Sequence, residues 1–201
     1  MQVTFTLWMA FFSYAAITAI TPGPNNILAM SATCNHGMRR SKGLLAGIYA
    51  GFFCVMAMCG LLGAAITALL PDLLVYMKYI GAAYILWLAW HIAMSRPVEA
   101  SAEDGQASFF KGFLLQFVNI KIIIYGLTIF TGFVFPNTQS LMMVVMFVLL
   151  ASLIGNGATH LWAVGGAVFT DFFRKNWRIA NAVMALSLVY SAVELITTRT
   201  Q

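Results

Sequence analysis

Charged side chains are scarce in this chain of 201 residues, of which only 8% are Asp, Glu, Lys or Arg. Soluble domains carry about a quarter of such residues, so the composition excludes an ordinary soluble domain. The hydrophobic fraction of 61% predicts instead an all-α polytopic membrane protein. The length suffices for roughly six spans of about 20 residues, so we expect one membrane domain over residues 1–201 and no separate soluble domain.

Sequence motifs of common enzyme classes are also missing. The chain has no His-Glu-x-x-His, no Gly-x-Ser-x-Gly and no Walker-type loop, and its six acidic residues lie almost wholly outside the apolar segments. We therefore expect neither an enzyme nor a cofactor. Cys34, Cys54 and Cys59 form no Cys-x-x-Cys pair, which indicates packing residues rather than a redox or metal site.

Gaps between charges and turn residues divide the chain into six predicted spans. The longest polar segment, residues 96–108, is the natural midpoint of the chain. It separates two halves of three spans each, about 1–95 and 109–201. The predicted spans are 5–33, 43–70, 73–94, 109–135, 141–169 and 179–197.

The basic residues predict the orientation of the spans. With six spans, the loops after spans 1, 3 and 5 share one side and carry 8 of the 11 Lys and Arg residues. The positive-inside rule places this side in the cytoplasm and both termini outside it. Contact with anionic lipid then explains the net charge of +5, so no nucleic-acid partner is expected. The rival reading, a cleaved signal peptide, is disfavoured because residues 1–20 contain no Lys or Arg.

The two halves of the chain share a pattern of polar interruptions. Residues 22–26 interrupt span 1, and residues 116–121 interrupt span 4. An odd number of spans per half makes the second half enter the membrane from the opposite side. We therefore predict two inverted three-helix repeats whose broken helices, 1 and 4, meet at a midplane site. The alternative is that proline kinks are common in membrane helices and the similarity is accidental.

The interruption in span 1 reads Thr21, Pro22, Gly23, Pro24, Asn25 and Asn26. The two prolines remove backbone donors, and the half-helix that follows would point its free N–H groups and positive dipole end into the break. This arrangement favours an anion such as a carboxylate. The amides of the two asparagines could contact a ligand, or either could simply cap the half-helix.

Lys121 lies in span 4, where burying an ammonium costs about 3 kcal/mol unless something pairs with it. It could hold a substrate carboxylate, carry a coupled proton, or pair with carbonyls freed at the break in span 1. Because Glu194 is the only acid inside a span and lies near its end, we expect an anionic ligand group. Helical spacing could bring further polar residues to the same cavity, namely Gln116, Asn119 and Tyr125.

Span 5 carries a second polar cluster. Asn156 and His160 are four residues apart and share a helix face. His160 could relay protons, or it could be a packed histidine with a satisfied ring. Elsewhere, Gly43, Gly47 and Gly51 repeat every four residues, a spacing that could mediate a homodimer or close packing within one chain.

The sequence contains the runs TPGPNN at 21–26, GAAYILWLAW at 81–90 and QFVNIK at 116–121. These three runs resemble the LysE/RhtB family of bacterial amino-acid exporters, and the resemblance extends over essentially the whole chain. Within that family, the runs are most similar to those of exporters of cysteine and O-acetylserine. Many members have Asn-Pro-Lys in span 4, whereas this chain has Ile120 at the proline position, so the interruption there could be a true break or only a polar patch.

The resemblance implies efflux of small neutral amino acids across the bacterial inner membrane, energised by proton antiport, with cysteine and O-acetylserine as leading substrates. The alternatives are a passive channel, a membrane scaffold, or export of homoserine, threonine or lysine. We hypothesise that the half-helix end and Lys121 hold the carboxylate, that Asn25 and Asn119 meet the amino group or side chain, and that His160 couples protons. The predicted partners are thus a small amino acid, protons and the lipid bilayer. The predicted substrate-binding residues are Thr21, Pro22, Gly23, Pro24, Asn25, Asn26, Gln116, Asn119, Lys121, Tyr125 and Asn156.

Overall fold

The computed structural model describes residues 5–69, 71–94, 109–138, 140–168, 172 and 175–197, and every regular element within them is a helix. The predicted all-α class is therefore confirmed, while the predicted loop 96–108 lies outside the described residues. The elements are α1 (Phe5–Ile20), α2 (Pro24–Leu69), α3 (Pro71–Met94), α4 (Phe109–Val118), α5 (Ile120–Thr128), a π-helix (Ile129–Val134), α6 (Leu141–Val168) and α7 (Trp177–Thr197).

Helix α2 turns back on itself at Gly37. This residue has φ 75° and ψ 161°, a backbone conformation that glycine adopts without the penalty of a Cβ atom. Ala32 packs with Leu44 and Ile48 in one buried cluster, although a straight helix would place Ala32 and Leu44 about 18 Å apart. The element therefore consists of two arms, α2a (24–36) and α2b (38–69), which belong to the predicted spans 1 and 2.

Both predicted helix interruptions are present. Residues 21–23 are not helical, and Pro24 opens α2 at the first helical position, where its missing N–H has no helical partner to lose. Asn119 separates α4 from α5 with an extended backbone, φ −82° and ψ 91°, and the chain bends there by 59°. The prediction of broken helices 1 and 4 is confirmed. The alternative for span 4, a mere polar patch, is wrong.

Two of the described helical stretches are long and apolar enough to cross a membrane. They are Pro24–Leu62 and Leu141–Val168. The bent pair Phe109–Val118 and Ile120–Val134 makes a third when counted as one span. The first stretch contains the reversal at Gly37, so its length includes both arms of α2. The six-span count remains a prediction.

Glycines bring α2b and α4 into close contact. A Cβ atom on Gly47 would overlap the Phe109 carbonyl, and one on Gly112 would overlap the Leu44 carbonyl. On Gly51, a Cβ atom would lie 2.7 Å from Gln116 Cγ. Gly47 and Gly51 therefore pack within the chain, which was the second of the two predicted uses. A homodimer remains a prediction that these two glycines do not support.

The remaining helices pack in two further groups. Helix α6 packs against the first broken helix, with Gly166 beside Met30 and Thr33 of α2a. Helices α3 and α7 share a buried apolar cluster that includes Leu88 and Leu188. Together with the α2b–α4 contact, these groups surround the two breaks.

Candidate functional site

The two helix breaks face one small cavity. Its volume of about 40 Å³ leaves room for a few waters, since one water needs about 10–15 Å³. The wall is formed by the end of α1, the first residues of α2a and of α5, and parts of α2b and α6. Its residues are Thr18, Ala19, Gly23, Pro24, Asn25, Asn26, Phe52, Asn119, Lys121, Ile122, Tyr125, Gly155 and Thr159.

Side chains from several helices bind the carbonyl oxygens at the break in α1. Asn26 Nδ2 donates to the Ala19 carbonyl at 2.8 Å, and Trp162 Nε1 of α6 donates to the Ile20 carbonyl at 3.0 Å. Ser191 Oγ of α7 donates to the Pro22 carbonyl at 3.1 Å. These bonds give partners to carbonyl oxygens that the end of a helix leaves without helical partners.

Lys121 completes this set of donors. Its Nζ donates to the Thr21 hydroxyl at 2.8 Å, the Pro22 carbonyl at 3.0 Å and the Thr21 carbonyl at 3.2 Å. Because an ammonium has three N–H groups, these three oxygens match its donor capacity. The geometry agrees with the third interpretation of Lys121, pairing with carbonyls freed in span 1. Its contact with a substrate carboxylate and its role in proton coupling remain predictions.

Three amides join the two breaks. Asn25 Nδ2 donates to Gln116 Oε1 at 2.7 Å, and Gln116 Nε2 donates in return to Asn25 Oδ1 at 3.1 Å. Asn119 Nδ2 donates to the same Asn25 oxygen at 3.1 Å. Gln116 is fully buried and lies behind the cavity wall rather than in it. We infer that it positions Asn25.

One acceptor of this network lacks a partner. Asn119 Oδ1 is buried and receives no hydrogen bond from the described residues, although Asn119 lines the cavity and is only 2% exposed. An unsatisfied buried acceptor costs about 1–3 kcal/mol. A donor group in the cavity would remove that cost, so this oxygen is a candidate contact for a ligand ammonium or hydroxyl.

The starts of two half-helices also contribute to the wall. The first residues of α2a, from Pro24, and of α5, from Ile120, belong to or directly adjoin the cavity lining, and Asn119 makes no side-chain cap bond to α5. The first N–H groups of a helix have no intrahelical partner and carry partial positive charge. Lys121 is the single charged residue among the described wall residues. The cavity is therefore electropositive and suited to an anionic group.

Three wall residues that matter for this geometry were not among the predicted site residues. Thr159 Oγ1 donates to Asn26 Oδ1 at 3.0 Å, and Gly155 and Phe52 contact each other across the α2b–α6 interface. The four-residue spacing of Gly155 and Thr159 was a usable signal, since it places both on one face of α6. Thr18, Ala19 and Ile122 also line the wall and carry no comparable signal in the sequence.

Asn156 and His160 lie outside the cavity wall, on the contact between α2b and α6. Asn156 Nδ2 donates to the Tyr49 carbonyl at 3.2 Å, and His160 Nδ1 shares a hydrogen bond of 3.0 Å with the Tyr49 hydroxyl. The predicted common face of these two residues thus exists, but it contacts Tyr49. By contrast, Tyr125 lines the cavity and donates to the Ala151 carbonyl at 3.3 Å.

The predicted site residues therefore fall into three groups. Those in the cavity wall are Gly23, Pro24, Asn25, Asn26, Asn119, Lys121 and Tyr125. Those that adjoin it through hydrogen bonds are Thr21, Pro22 and Gln116. Those separate from it are Asn156 and His160. Within the described part of the chain, no group of three His, Cys, Asp or Glu residues is arranged to hold a metal ion.

Comparison with known proteins identifies the family. The family described as LysE type translocator matches residues 16–199, a range that contains both helix breaks and every predicted site residue. The chain belongs to the LysE family. The predicted family is thus confirmed. Membership in the LysE family indicates a transporter and not an enzyme.

Relatives within the LysE family cover almost all of the chain. The cysteine/O-acetylserine efflux protein of Escherichia coli (strain K12) is 45% identical over 193 residues, which is 96% of this chain and 99% of the relative. The protein of the same name from Shigella sonnei (strain Ss046) has the same identity and coverage. No solved structure matches this LysE-family chain.

Proposed function

We propose that this LysE-family chain exports small neutral amino acids across the bacterial inner membrane, with cysteine and O-acetylserine as its first substrates. The names of relatives 45% identical to it support these substrates. The observation that carries the proposal is that two half-helix starts face one cavity, beside Lys121 and the unpartnered Asn119 oxygen.

The substrate carboxylate belongs at the half-helix starts. The first N–H groups of the half-helix that begins at Pro24 donate to it, and the positive dipole ends of both half-helices favour its charge. Lys121 adds a full positive charge in the same wall. Direct contact between Lys121 and the carboxylate requires it to release one of the three oxygens it now binds. Broken helices in membrane transporters bind substrate carboxylates in this way.

The substrate ammonium donates to Asn119 Oδ1, which has no hydrogen-bond partner among the described residues. The side chain of the substrate then lies against Phe52, Ile122 and Ala19, whose surfaces suit a small uncharged group. A cationic side chain such as that of lysine would meet the charge of Lys121 without any acid among the described wall residues. Neutral amino acids are therefore favoured over lysine.

Helix packing supports the proposed architecture of six spans in two inverted repeats. Two inverted repeats would make span 1 equivalent to span 4, span 2 to span 5 and span 3 to span 6. Under this equivalence, the contact of α6 (span 5) with the first broken helix corresponds to the contact of α2b (span 2) with the second. The contact between α3 (span 3) and α7 (span 6) joins two equivalent helices, so it corresponds to itself. The positive-inside rule then places both termini in the periplasm.

Proton antiport is the proposed energy source. His160 is the candidate proton-carrying group because it is exposed and hydrogen-bonded to Tyr49 between α2b and α6, which each contribute part of the cavity wall. Histidine side chains serve as proton carriers in many proteins, which suits a proton-coupled step.

Transport from proteoliposomes tests the proposal. Vesicles are loaded separately with labelled cysteine, O-acetylserine or lysine, with and without an imposed proton gradient. Native protein is compared with Lys121→Met and with the control Lys111→Met, which removes an exposed lysine of α4. We expect saturable, gradient-dependent release of the two neutral substrates, lost in Lys121→Met and retained in Lys111→Met.

Other outcomes separate the alternatives. Release of every solute without saturation would indicate a passive channel, and no release from correctly inserted protein would indicate a scaffold. Preferred release of lysine would overturn the substrate class. Full export by a normally expressed Lys121→Met variant would show that Lys121 does not hold the carboxylate.

A further inference from the structure

The oxygens that surround Lys121 lie at the carboxyl end of a half-helix. Helix α1 ends at Ile20, and the next two residues supply the Thr21 hydroxyl, the Thr21 carbonyl and the Pro22 carbonyl at 2.8, 3.2 and 3.0 Å from Lys121 Nζ. The carboxyl end of a helix carries partial negative charge. These three oxygens are neutral. The Lys121 ammonium is therefore bound by neutral oxygens and by the negative end of the helix dipole, and none of the three oxygens carries a formal negative charge.

We propose that these three oxygens form a binding site for a monovalent cation, and that the Lys121 ammonium is a tethered cation that occupies it. Unwound carbonyls and half-helix carboxyl ends coordinate coupling cations in membrane transporters. Here the occupant is supplied by α5, on the other broken helix. The site is distinct from the proposed carboxylate position, which lies at the amino ends of the half-helices.

The site is held in place by donors other than Lys121. Ser191 Oγ shares its proton between the Pro22 carbonyl at 3.1 Å and the Ser187 carbonyl at 3.0 Å, and Asn26 Nδ2 also donates to the Thr21 carbonyl at 3.0 Å. Removal of the lysine side chain therefore leaves both carbonyls oriented as they are. A free cation of suitable size can then take the position of the ammonium.

Gly23 makes room for the tethered cation. A Cβ atom there would lie 2.9 Å from Lys121 Cδ and 3.0 Å from Nζ, so the end of the lysine side chain would have to shift. The φ angle of Gly23 is not positive, so its backbone accepts alanine. Gly23→Ala is therefore a way to displace the ammonium from its oxygens without removing its charge.

One consequence rests on the proposed export function. With its cation tethered, the native protein needs no added sodium ion for export. Lys121→Ala should instead depend on a free cation in the medium.

Thermal unfolding of purified protein in detergent tests the site without any transport. Lys121→Ala lacks three carbons and the ammonium, so n-propylammonium chloride is the matched probe. Sodium chloride tests an alkali cation, and tetramethylammonium chloride at equal ionic strength controls for salt. The native chain and Lys111→Ala serve as protein controls.

We expect Lys121→Ala to have a lower Tm than the native chain. At about five times its Kd, n-propylammonium should raise the Tm of this variant by about 2–4 °C, with no such rise in native protein or Lys111→Ala. A rise with sodium as well would mean that the site accepts monovalent cations in general. Equal effects of all three salts, or equal shifts in the controls, would overturn the proposal.

Gly23→Ala keeps the proposal testable if Lys121→Ala does not fold. We expect Gly23→Ala to lower the Tm, while Gly157→Ala, where a Cβ atom meets nothing within 4 Å, should not. A native Tm for Gly23→Ala would overturn the tethered-cation site.

The two proposals fail separately. A propylammonium-specific shift without export of any amino acid would reject the proposed function alone. Export by native protein with no cation-specific shift in Lys121→Ala would reject the cation site alone.

Discussion

Asn25 and Gln116 exchange two hydrogen bonds, of 2.7 and 3.1 Å, although 91 residues separate them in the chain. Asn25 follows the break in the first broken helix, and Gln116 precedes the break in the second. The side chains of these two residues thus join the two breaks directly. A movement of one broken helix relative to the other must therefore break these two hydrogen bonds or move both side chains together.

A double-mutant cycle measures this coupling. We expect Asn25→Leu and Gln116→Leu each to lower the free energy of unfolding, and the double variant to lose less than their sum. Hydrogen bonds between membrane helices are worth about 0.6 kcal/mol and at most about 1.7 kcal/mol, so two bonds predict a coupling of about 1–2 kcal/mol. Denaturant unfolding in mixed micelles gives the four values. Asn25→Leu combined with Thr131→Val, whose hydroxyl donates to the Leu127 carbonyl one turn earlier, should be additive.

Asn119→Ala tests the proposed ammonium contact. Removal of the unpartnered acceptor should raise the KM for cysteine export about tenfold or more, since hydrogen bonds to charged groups are worth about 1.5–3 kcal/mol. Initial rates from proteoliposomes at graded internal substrate give the KM. Asn137→Ala, which loses a bond to the Phe133 carbonyl outside the cavity, should keep the native KM. An unchanged KM in Asn119→Ala would remove this oxygen from the substrate contacts.

Gly112→Ala tests the close contact of α2b and α4. Its Cβ atom would overlap the Leu44 carbonyl and lie 2.9 Å from the Ile48 backbone nitrogen, so the helices must separate. We expect a lower Tm and weaker export, because α4 leads directly to the break at Asn119. Gly157→Ala should instead stabilise α6 by about 0.5–1 kcal/mol, since a Cβ atom there meets nothing within 4 Å. Similar Tm values for the two variants would contradict the packing described above.

His160→Gln tests proton coupling. We expect it to reduce export driven by a proton gradient while exchange of labelled for unlabelled cysteine, which needs no net proton movement, stays near native. Tyr49→Phe removes the hydroxyl bonded to His160 and should lower the ratio of gradient-driven export to exchange by a smaller amount. His91→Gln, which alters an exposed histidine whose ring is tilted against that of Trp87, is the control. Equal loss of both activities in His160→Gln would assign His160 to structure rather than coupling.

Composition and backbone chemistry made the class and the first break predictable. Low charge and long apolar stretches require helices in a membrane, because each backbone polar group must find a partner within its own segment. Pro22 and Pro24 break or kink the interior of a helix, since they lack the N–H groups that the interior needs. The sequence also showed that Lys121 needs a partner.

The break at Asn119 was only partly predictable. With isoleucine in place of proline at position 120, the sequence allowed either a break or a polar patch. The structure has the break, and the amides of Gln116 and Asn119 there bond to Asn25, more than 90 residues earlier in the chain. Such partners arise from packing, which local sequence does not encode.

By itself, the sequence determined the helical class, the family and the positions of the polar residues that need partners. Only the tertiary structure decided the partners of Lys121 and the face of α6 that meets the cavity. Thr159 lines the cavity while its neighbour His160 contacts Tyr49. Adjacent residues of a helix point about 100° apart, so a choice between them depends on how α6 is rotated against α1 and α2, which is set by the packing of the whole bundle.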